Sequence, residues 1–256
     1  MTADTNAPVV NLDSIKQACG TCSLGALCLP MGLDEKDVDE LGRIVKRNRP
    51  LHRGDHLFRM GDPFHSIFVV KSGSVKSYSS AQDGDEQVVG FHLPGEMLGL
   101  DAIDRGMHSC SAISMETTAV CELPFDRLEE LSRRLPSLQH QIFRLLSKEI
   151  NREEEMLLVL GKKSAEERLA AFLFSLSLRY KRRGYSDREF NLSMSRQEIG
   201  NYLGLAVETV SRLFTRFHEE GLLEAQRKHV HILDMERLEG MVSACSSMVN
   251  DHARMC

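Results

Sequence analysis

Two short helices predicted near the C-terminus constrain the fold of this 256-residue chain more than any other feature. Ser195 and Glu198 have the spacing of a capping box, in which a hydroxyl and a carboxylate satisfy free backbone N–H groups at a helix start. A helix is therefore predicted to begin near Arg196, and Gly204 permits the tight turn that ends it. A second helix is predicted at 207–219. Two short helices joined by a glycine turn are typical of a helix-turn-helix.

The second predicted helix has one apolar and one polar face. Its apolar side chains follow the i, i+3, i+4, i+7 spacing of a packed helix. The polar face carries Glu208, Ser211 and Arg212. Arginine binds two acceptors of guanine, glutamate accepts from cytosine, and serine meets several base edges, so this face is predicted to bind DNA. A helix face that merely meets water is the alternative, since most polar faces do so.

A hairpin is predicted after the second helix, from the apolar runs 222–225 and 229–233. Its turn contains Arg227 and Lys228, which we expect to lie beside a phosphate backbone. A helix-turn-helix followed by such a hairpin is a winged helix-turn-helix, and we assign it to residues 162–240.

The distribution of charge agrees with that location. The chain has a formal net charge of −5, which argues against coating nucleic acid through bulk positive charge. The segment 162–237 nevertheless has 14 basic and 11 acidic side chains, a balance of +3, and the remainder carries −8. Nucleic acid is therefore expected at the C-terminal end.

The first half of the chain has a different pattern. Short apolar runs between Pro50 and Leu123 alternate with glycine-bearing turns, which predicts an antiparallel β-roll or sandwich over residues 31–135. From Pro136 the apolar residues recur every three or four positions, which predicts one helix over 136–161. The fold class is therefore α+β.

The long predicted helix has two interpretations. It packs on its own domain as an amphipathic helix, or it forms a coiled-coil contact in a dimer. Leu146, Ile150 and Leu157 lie on its apolar stripe, and Glu153 falls among them. A charge at that place repels its symmetry mate across a parallel seam, so we expect a deliberately weak homodimer.

The cysteines indicate a metal site. Seven cysteines, without an export signal, argue against a disulfide framework. Cys19, Cys22 and Cys28 form a C-x2-C-x5-C pattern within residues 1–30. Zinc sites, redox dithiols and chance also produce C-x2-C, and a four-iron cluster needs a further thiolate from elsewhere.

The run IGNYLGL at 199–205, followed by VETVSRL at 207–213, resembles the CRP/FNR family of bacterial transcription factors. The resemblance covers nearly the whole chain. It implies a jelly roll of the cyclic-nucleotide-binding type, a dimerisation helix, and half-site recognition on a TTGAT-type palindrome, as in the FNR branch. Ala206 departs from the family pattern, in which a serine or threonine commonly caps the second helix.

The resemblance to the FNR branch also implies a cofactor. Cys121 matches the branch's distant fourth ligand, so the four cysteines would hold a 4Fe-4S cluster that becomes 2Fe-2S in oxygen. Ser23 and Leu27 lie where the branch tunes access to the cluster. Structural zinc on the same cysteines remains an alternative. The chain would dimerise without oxygen and activate or repress promoters.

Two further implications concern partners and ligands. Gly84 and Asp85 match a loop that contacts RNA polymerase, although a simple hairpin turn explains them equally well. A cyclic-nucleotide-responsive regulator is the alternative function. It is disfavoured because Cys110 replaces the arginine that would hold the cyclic phosphate, although the turn Gly95-Glu96 is retained. Cys110, Cys245 and Cys256 match no ligand position.

Other classes of protein are not supported. The sequence has no hydrolase, phosphate-loop or zinc-protease motif, so we expect no enzyme. It has neither a secretory signal nor an apolar run long enough to span a bilayer, so a cytoplasmic protein without membrane contact is expected. Residues 241–256 are assigned to a C-terminal tail.

Overall fold

The computed structural model describes residues 19–80 and 84–243. Cys245, Cys256 and nearly all of the predicted tail lie outside these ranges. Among the described residues, no helix combines the length and apolar character required to cross a bilayer.

Antiparallel strands form the first half of the described chain, preceded by helix α1 and followed by helix α2. The helices are α1 (Glu35–Ile44) and α2 (Phe125–Arg134). The strands are β1 (Lys46–Arg47), β2 (His56–Phe58), β3 (Ser66–Ser72), β4 (Val75–Ser80), β5 (Glu86–His92), β6 (Met97–Leu98), β7 (Ser111–Ser114) and β8 (Ala119–Pro124). They form two four-stranded sheets, in the orders β1-β8-β3-β6 and β2-β7-β4-β5.

The tight connection between β3 and β4 shows why glycine is needed between strands of the roll. Gly73 has a φ of 77°, a region that favours glycine. A Cβ at this position would lie 2.5 Å from the Thr117 carbonyl oxygen. The two sheets can therefore close over a core that includes Val70 and Val75, both fully buried.

Helices dominate the second half of the described chain. They are α3 (Pro136–Lys162), α4 (Ala165–Arg182), α5 (Arg196–Leu203), α6 (Val207–Glu219) and α7 (Met235–Ser243). Strands β9 (Glu189–Asn191), β10 (Leu223–Gln226) and β11 (His229–Ile232) form a sheet in the order β10-β11-β9. The predicted α+β class, with a roll, a long helix and a winged helix-turn-helix, is confirmed.

The boundaries of two elements differ slightly from the prediction. The long helix, α3, has 27 residues and is about 40 Å long at 1.5 Å per residue, and it continues past Gly161 to Lys162. The prediction ended it at 161, but no side chain or turn stops a helix there. The apolar run at 165–180 likewise predicts a helix, and that helix, α4, continues to Arg182.

Candidate cysteine site and nucleic-acid interface

The helix-turn-helix is built by the residues that predicted it. The Ser195 hydroxyl accepts from the Glu198 N–H at 3.2 Å, and a Glu198 carboxylate oxygen accepts from the Ser195 N–H at 2.8 Å. Gly204 ends α5 with a φ of 64°. The sequence motif also contains Gly200, where a Cβ would lie 2.6 Å from the Leu205 carbonyl oxygen. Glycine at 200 therefore lets α5 approach the turn closely.

Helix α6 presents the predicted polar face to solvent. Val210, Phe214 and Phe217 are buried, and Glu208, Ser211 and Arg212 are exposed on the other side. The Ser211 hydroxyl donates to the Val207 carbonyl at 2.9 Å. This arrangement gives the helix a packed base and a polar surface free to enter a major groove.

The hairpin β10–β11 presents its two cations beside this helix unit. Arg227 has a φ of 55° at the turn, a conformation that is uncommon for a residue with a side chain. Arg227 and Lys228 are both exposed. The Lys228 ammonium lies 3.4 Å from the Ser193 carbonyl, which keeps it near the start of α5.

Arg196, at the first turn of α5, was not predicted from the sequence to contact DNA. Its guanidinium lies over the Phe214 ring, 3.1 Å from the centroid. Its buried Nη1 has no hydrogen-bond partner within the described ranges, and burial lowers the pKa of Arg196 to about 10. Arg196 is half-buried beside the helix that is predicted to bind DNA, so the accessible part of its cation is suited to a phosphate oxygen. No sequence signal distinguishes it from an ordinary arginine at a helix start.

The N-terminal cysteines lie in or next to two single turns of 3-10 helix, the first of which packs against α1. Cys19 begins the turn Cys19–Thr21, and a Cβ added to Gly42 of α1 would lie 4.0 Å from its sulfur. The Cys22 N–H donates to the Cys19 carbonyl at 3.2 Å. Cys28 directly follows the second turn, Gly25–Leu27. We call residues 19–28 the cysteine segment.

Cys121 comes to the cysteine segment from the roll. It lies on β8 between Arg47 of β1 and Val69 of β3. Cys19, Cys22, Cys28 and Cys121 line one cavity of about 40 Å³, whose walls include Leu24, Leu41, Val69, Lys71 and Leu123. The four predicted ligand positions are thus brought together. They are not arranged for coordination, because no group of three or more His, Cys, Asp or Glu side chains within the described ranges could hold a metal ion.

Burial in the cavity favours the protonated form of three of its thiols, those of Cys19, Cys28 and Cys121. Burial raises the pKa of Cys28 to about 12. Burial also raises the pKa of Cys19, and the nearby sulfurs of Cys121 and Cys22 raise it further. The pKa of Cys121 is raised chiefly by burial. Four thiolates here require a bound cation to compensate their charge, so metal uptake must release protons. An all-sulfur donor set suits either iron–sulfur or zinc.

The two predicted tuning residues differ in exposure. Ser23 is exposed beside Cys22, whereas Leu27 is half-buried. Leu27 contacts the turn at Gly95, because a Cβ at Gly95 would lie 3.1 Å from the Leu27 Cβ. Leu27 therefore forms a contact between the cysteine segment and the roll.

The place in the roll where the resemblance would put a cyclic nucleotide is chemically unsuitable for a phosphate. The Cys110 thiol, in place of the phosphate-binding arginine, lies 3.6 Å from a carboxylate oxygen of Asp101. Burial and this carboxylate raise the pKa of Cys110 to about 12. A cyclic phosphate would meet a carboxylate there, and Glu96, the retained acidic residue, is already bound to arginines. Both features count against the cyclic-nucleotide alternative.

Helix α3 leaves an apolar stripe uncovered. Phe143, Ile150 and Leu157 are 60%, 55% and 70% exposed and recur every seven residues, the spacing of a coiled-coil seam. Leu146 is half-buried and Glu153 is exposed. Phe143 was not among the predicted stripe residues, although its seven-residue spacing from Ile150 was a usable signal.

The predicted polymerase-contact residues lie before β5. Gly84 has a φ of 89°, and Asp85 is exposed. The three residues before Gly84 lie outside the described ranges, so the turn itself is not described.

A sensory roll, a long helix and a winged helix-turn-helix together define a class of DNA-binding transcription regulators. Residues 48–134 match the cyclic nucleotide-binding domain, and residues 167–241 match the Crp-like helix-turn-helix domain. The chain belongs to the CRP/FNR family, and within it to the FNR-type regulators.

Three relatives illustrate this placement. The chain is 54% identical to the transcriptional activator protein Anr of Pseudomonas aeruginosa, over 89% of this chain and 94% of that protein. It is 47% identical to the fumarate and nitrate reduction regulatory protein of Escherichia coli, over 86% and 88%. The structure of FixK2 from Bradyrhizobium japonicum has a TM-score of 0.69 at 29% identity, over 77% of this chain and 97% of that one. The chain is a transcription regulator and not an enzyme.

Proposed function

We propose that this regulator senses oxygen through a 4Fe-4S cluster held by Cys19, Cys22, Cys28 and Cys121. The observation that carries the proposal is the shared cavity, which gathers these four thiols from two distant parts of the chain. These cysteines would hold the cluster, and the chemistry it would supply is sensitivity to oxygen, with a 2Fe-2S form and released iron and sulfide as the products that the resemblance implies. Ser23 and Leu27 would influence access to it, as residues next to Cys22 and Cys28.

The chain offers a direct route from the cysteines to the dimer helix. Strand β8 of Cys121 leads into α2 without a break, and one residue separates α2 from α3. Helix α1, on which Cys19 packs, also holds the start of α3 through a hydrogen bond from Ser137 to Asp37 of 2.5 Å. Ligation of the cysteines would therefore bias the position of α3 in two ways. It would act through the connection from β8 and α2, and through the contact of α1 with the first turn of α3.

The exposed stripe of α3 is the proposed dimer interface. Leu146, Ile150 and Leu157 would pack against their copies, and Glu153 would face its own copy at a cost. An equilibrium poised within a few kcal/mol is shifted by a modest ligand-dependent change. Oxygen would then return the chain to monomers, which bind DNA weakly because each half-site contact alone is weak.

The dimer would read a TTGAT-type palindrome. Glu208, Ser211 and Arg212 would contact bases, whereas Arg227 and Lys228 would contact phosphates. Gly84 and Asp85 are proposed to contact RNA polymerase at promoters that the protein activates, and binding over other promoters would repress them.

Iron and zinc content of protein purified without oxygen tests the cofactor. Wild type is expected to contain about four irons per chain, to be brown, and to bleach in air. Cys121→Ala should lose the iron, and Cys110→Ala, the matched control, should keep it. Stoichiometric zinc in a colourless wild-type sample would favour the structural-zinc alternative and remove the oxygen-sensing proposal.

A further inference from the structure

One buried carboxylate joins the roll to both long helices of the second half. Glu96, in the turn between β5 and β6, receives a two-pronged ion pair from Arg179 of α4 at 2.9 and 2.6 Å. Arg183, the residue that follows α4, binds it at 2.7 Å, and Arg152 of α3 lies 3.6 Å from it. We call these four residues the Glu96 hub.

Backbone hydrogen bonds hold the side chains of the hub in place, in addition to the ion pairs. The Phe91 carbonyl accepts from Arg152 at 3.0 Å and from Arg179 at 2.5 Å. The Leu93 N–H donates to Glu96 at 3.0 Å, which fixes the carboxylate in its turn. The side chains of Glu96, Arg179 and Arg183 are only 15%, 12% and 5% exposed. The guanidinium groups hold the pKa of Glu96 well below its usual range, so it stays ionised.

The joint between α3 and α4 explains why this carboxylate matters. Only Lys163 and Ser164 separate the two helices, and both have extended backbone conformations. Rotation about this short joint would change the direction of α4, and with it the orientation of the DNA-binding domain. Glu96 contacts cations on both sides of the joint. It therefore restrains the angle between the helices without touching DNA.

The DNA-binding domain also contacts the roll at a second place. Asn201 of α5 accepts from the Val88 N–H at 2.5 Å and donates to the Glu86 carbonyl at 2.6 Å. Lys76 of β4 pairs with Glu198 of α5 at 3.1 Å. These contacts tie α5 to the roll, whereas the hub also includes Arg152 of the dimer helix. The hub is thus one contact between the winged helix-turn-helix, which we call the reading head, and the helix of the proposed dimer interface.

We propose that Glu96 is a positioning residue that fixes the separation and relative rotation of the two recognition helices in the dimer. The inference rests on the proposed function in one respect, that the chain binds a two-half-site operator as a dimer. Leu27 contacts Gly95, next to Glu96, so the conformation of the cysteine segment also acts on the hub.

The ratio of affinities for two operators with different half-site spacing tests this role. A residue that only stabilises the fold would not change that ratio. Inserting one base pair between half-sites moves them apart by about 3.4 Å and rotates one by roughly a tenth of a turn. A rigid dimer discriminates strongly against that operator. Glu96→Gln removes the counter-charge that Arg179 and Arg183 share. It leaves Arg152 paired with Glu149. The joint is then freed, so the ratio of the two affinities should fall by about tenfold.

The measurement uses full-length protein at concentrations where sedimentation shows dimers, so it does not depend on iron content. Glu96→Asp keeps the charge and should retain most of the discrimination. Glu129→Gln, which removes an exposed carboxylate paired with Arg133 on α2, is the matched control and should equal wild type. If Glu96→Gln does not fold, Arg152→Gln replaces it, because it disturbs the hub less. This variant should also reduce the discrimination between the two operators.

Two results separate this inference from the proposed function. Unchanged spacing discrimination in both Glu96→Gln and Arg152→Gln dimers would overturn the positioning role, whatever the cofactor is. Failure of the wild-type dimer to prefer any two-half-site operator would instead contradict the proposed function. Reduced discrimination with normal iron content and dimerisation supports the inference.

Discussion

Ser211 and Arg212 differ in the hydrogen bonds that they already make before they bind a base. The Ser211 hydroxyl already donates to the Val207 carbonyl, so it can accept from a base freely but can donate to one only by giving up that bond. Arg212 is exposed and can offer two parallel donors to guanine. Arg212 is therefore expected to contribute more of the discrimination between bases.

Arg212→Ala should reduce the preference for guanine at one operator position by about 1–3 kcal/mol, because the two-donor contact is lost. Competition binding with operators that differ at single positions measures this loss. Lys228→Ala serves as the control and should weaken all operators alike while lowering the salt dependence. Equal weakening on every operator in Arg212→Ala would instead make Arg212 a phosphate contact.

Arg196→Gln should weaken binding to all operators, because the half-buried cation at the start of α5 is expected to meet a phosphate. Salt titration of operator binding should show a slope smaller by about one than that of wild type. An unchanged slope would leave Arg196 with only its stacking role on Phe214.

At the residue scale, sequence alone was sufficient where a side chain acts through its own helix. Glu208, Ser211 and Arg212 could be placed on one face because helical spacing is local. The arrangement of Arg196 and the three partners of Glu96 could not be predicted. Each depends on contacts between segments far apart in the sequence, and only the complete fold specifies them.

Among the helices of the reading head, α6 begins without a side-chain cap. Ala206 has the extended backbone of an N-cap residue but provides no hydrogen bond, whereas Ser195 caps α5. Ala206→Ser should therefore raise the free energy of unfolding by about 1 kcal/mol, and Ser195→Ala should lower it by a similar amount. Denaturant unfolding followed by circular dichroism measures both. No gain in Ala206→Ser would mean that solvent already satisfies the free N–H groups.

Helix α3 carries the prediction about dimerisation. Glu153→Ala removes the repulsion at the seam, so a dimer should persist in air. Analytical ultracentrifugation of aerobic protein checks this, with Glu154→Ala as a control beside the stripe. A monomeric Glu153→Ala variant in air would remove Glu153 from the account of dimerisation.

At the element scale, the helices were predictable because capping, glycine turns and apolar periodicity all depend on residues that are close together in the sequence. Both helices of the reading head occur where the capping box and Gly204 indicated. Strand β9 and its pairing with β11 were not predicted. Strand order depends on long-range pairing, and a three-residue strand has too little periodicity to be recognised.

At the scale of the whole molecule, the four cysteines and the reading head lie at opposite ends of a continuous set of contacts. The strand of Cys121 is followed in the chain by α2 and α3. Leu27 contacts the turn at Gly95, which precedes Glu96 of the hub. The sequence indicated both ends through spacing and resemblance. The connections between them became evident only when the sheets and helices were assembled.

The affinity of one anaerobic sample for a TTGAT-type palindrome, measured before and after exposure to air, tests the central claim most directly. Iron content and molecular mass are measured on the same sample. We expect tight binding by an iron-containing dimer, and loss of iron–sulfur absorbance, dimer and affinity together in air. Equal affinity before and after air exposure, in a sample that has lost its iron, would contradict oxygen control through these cysteines.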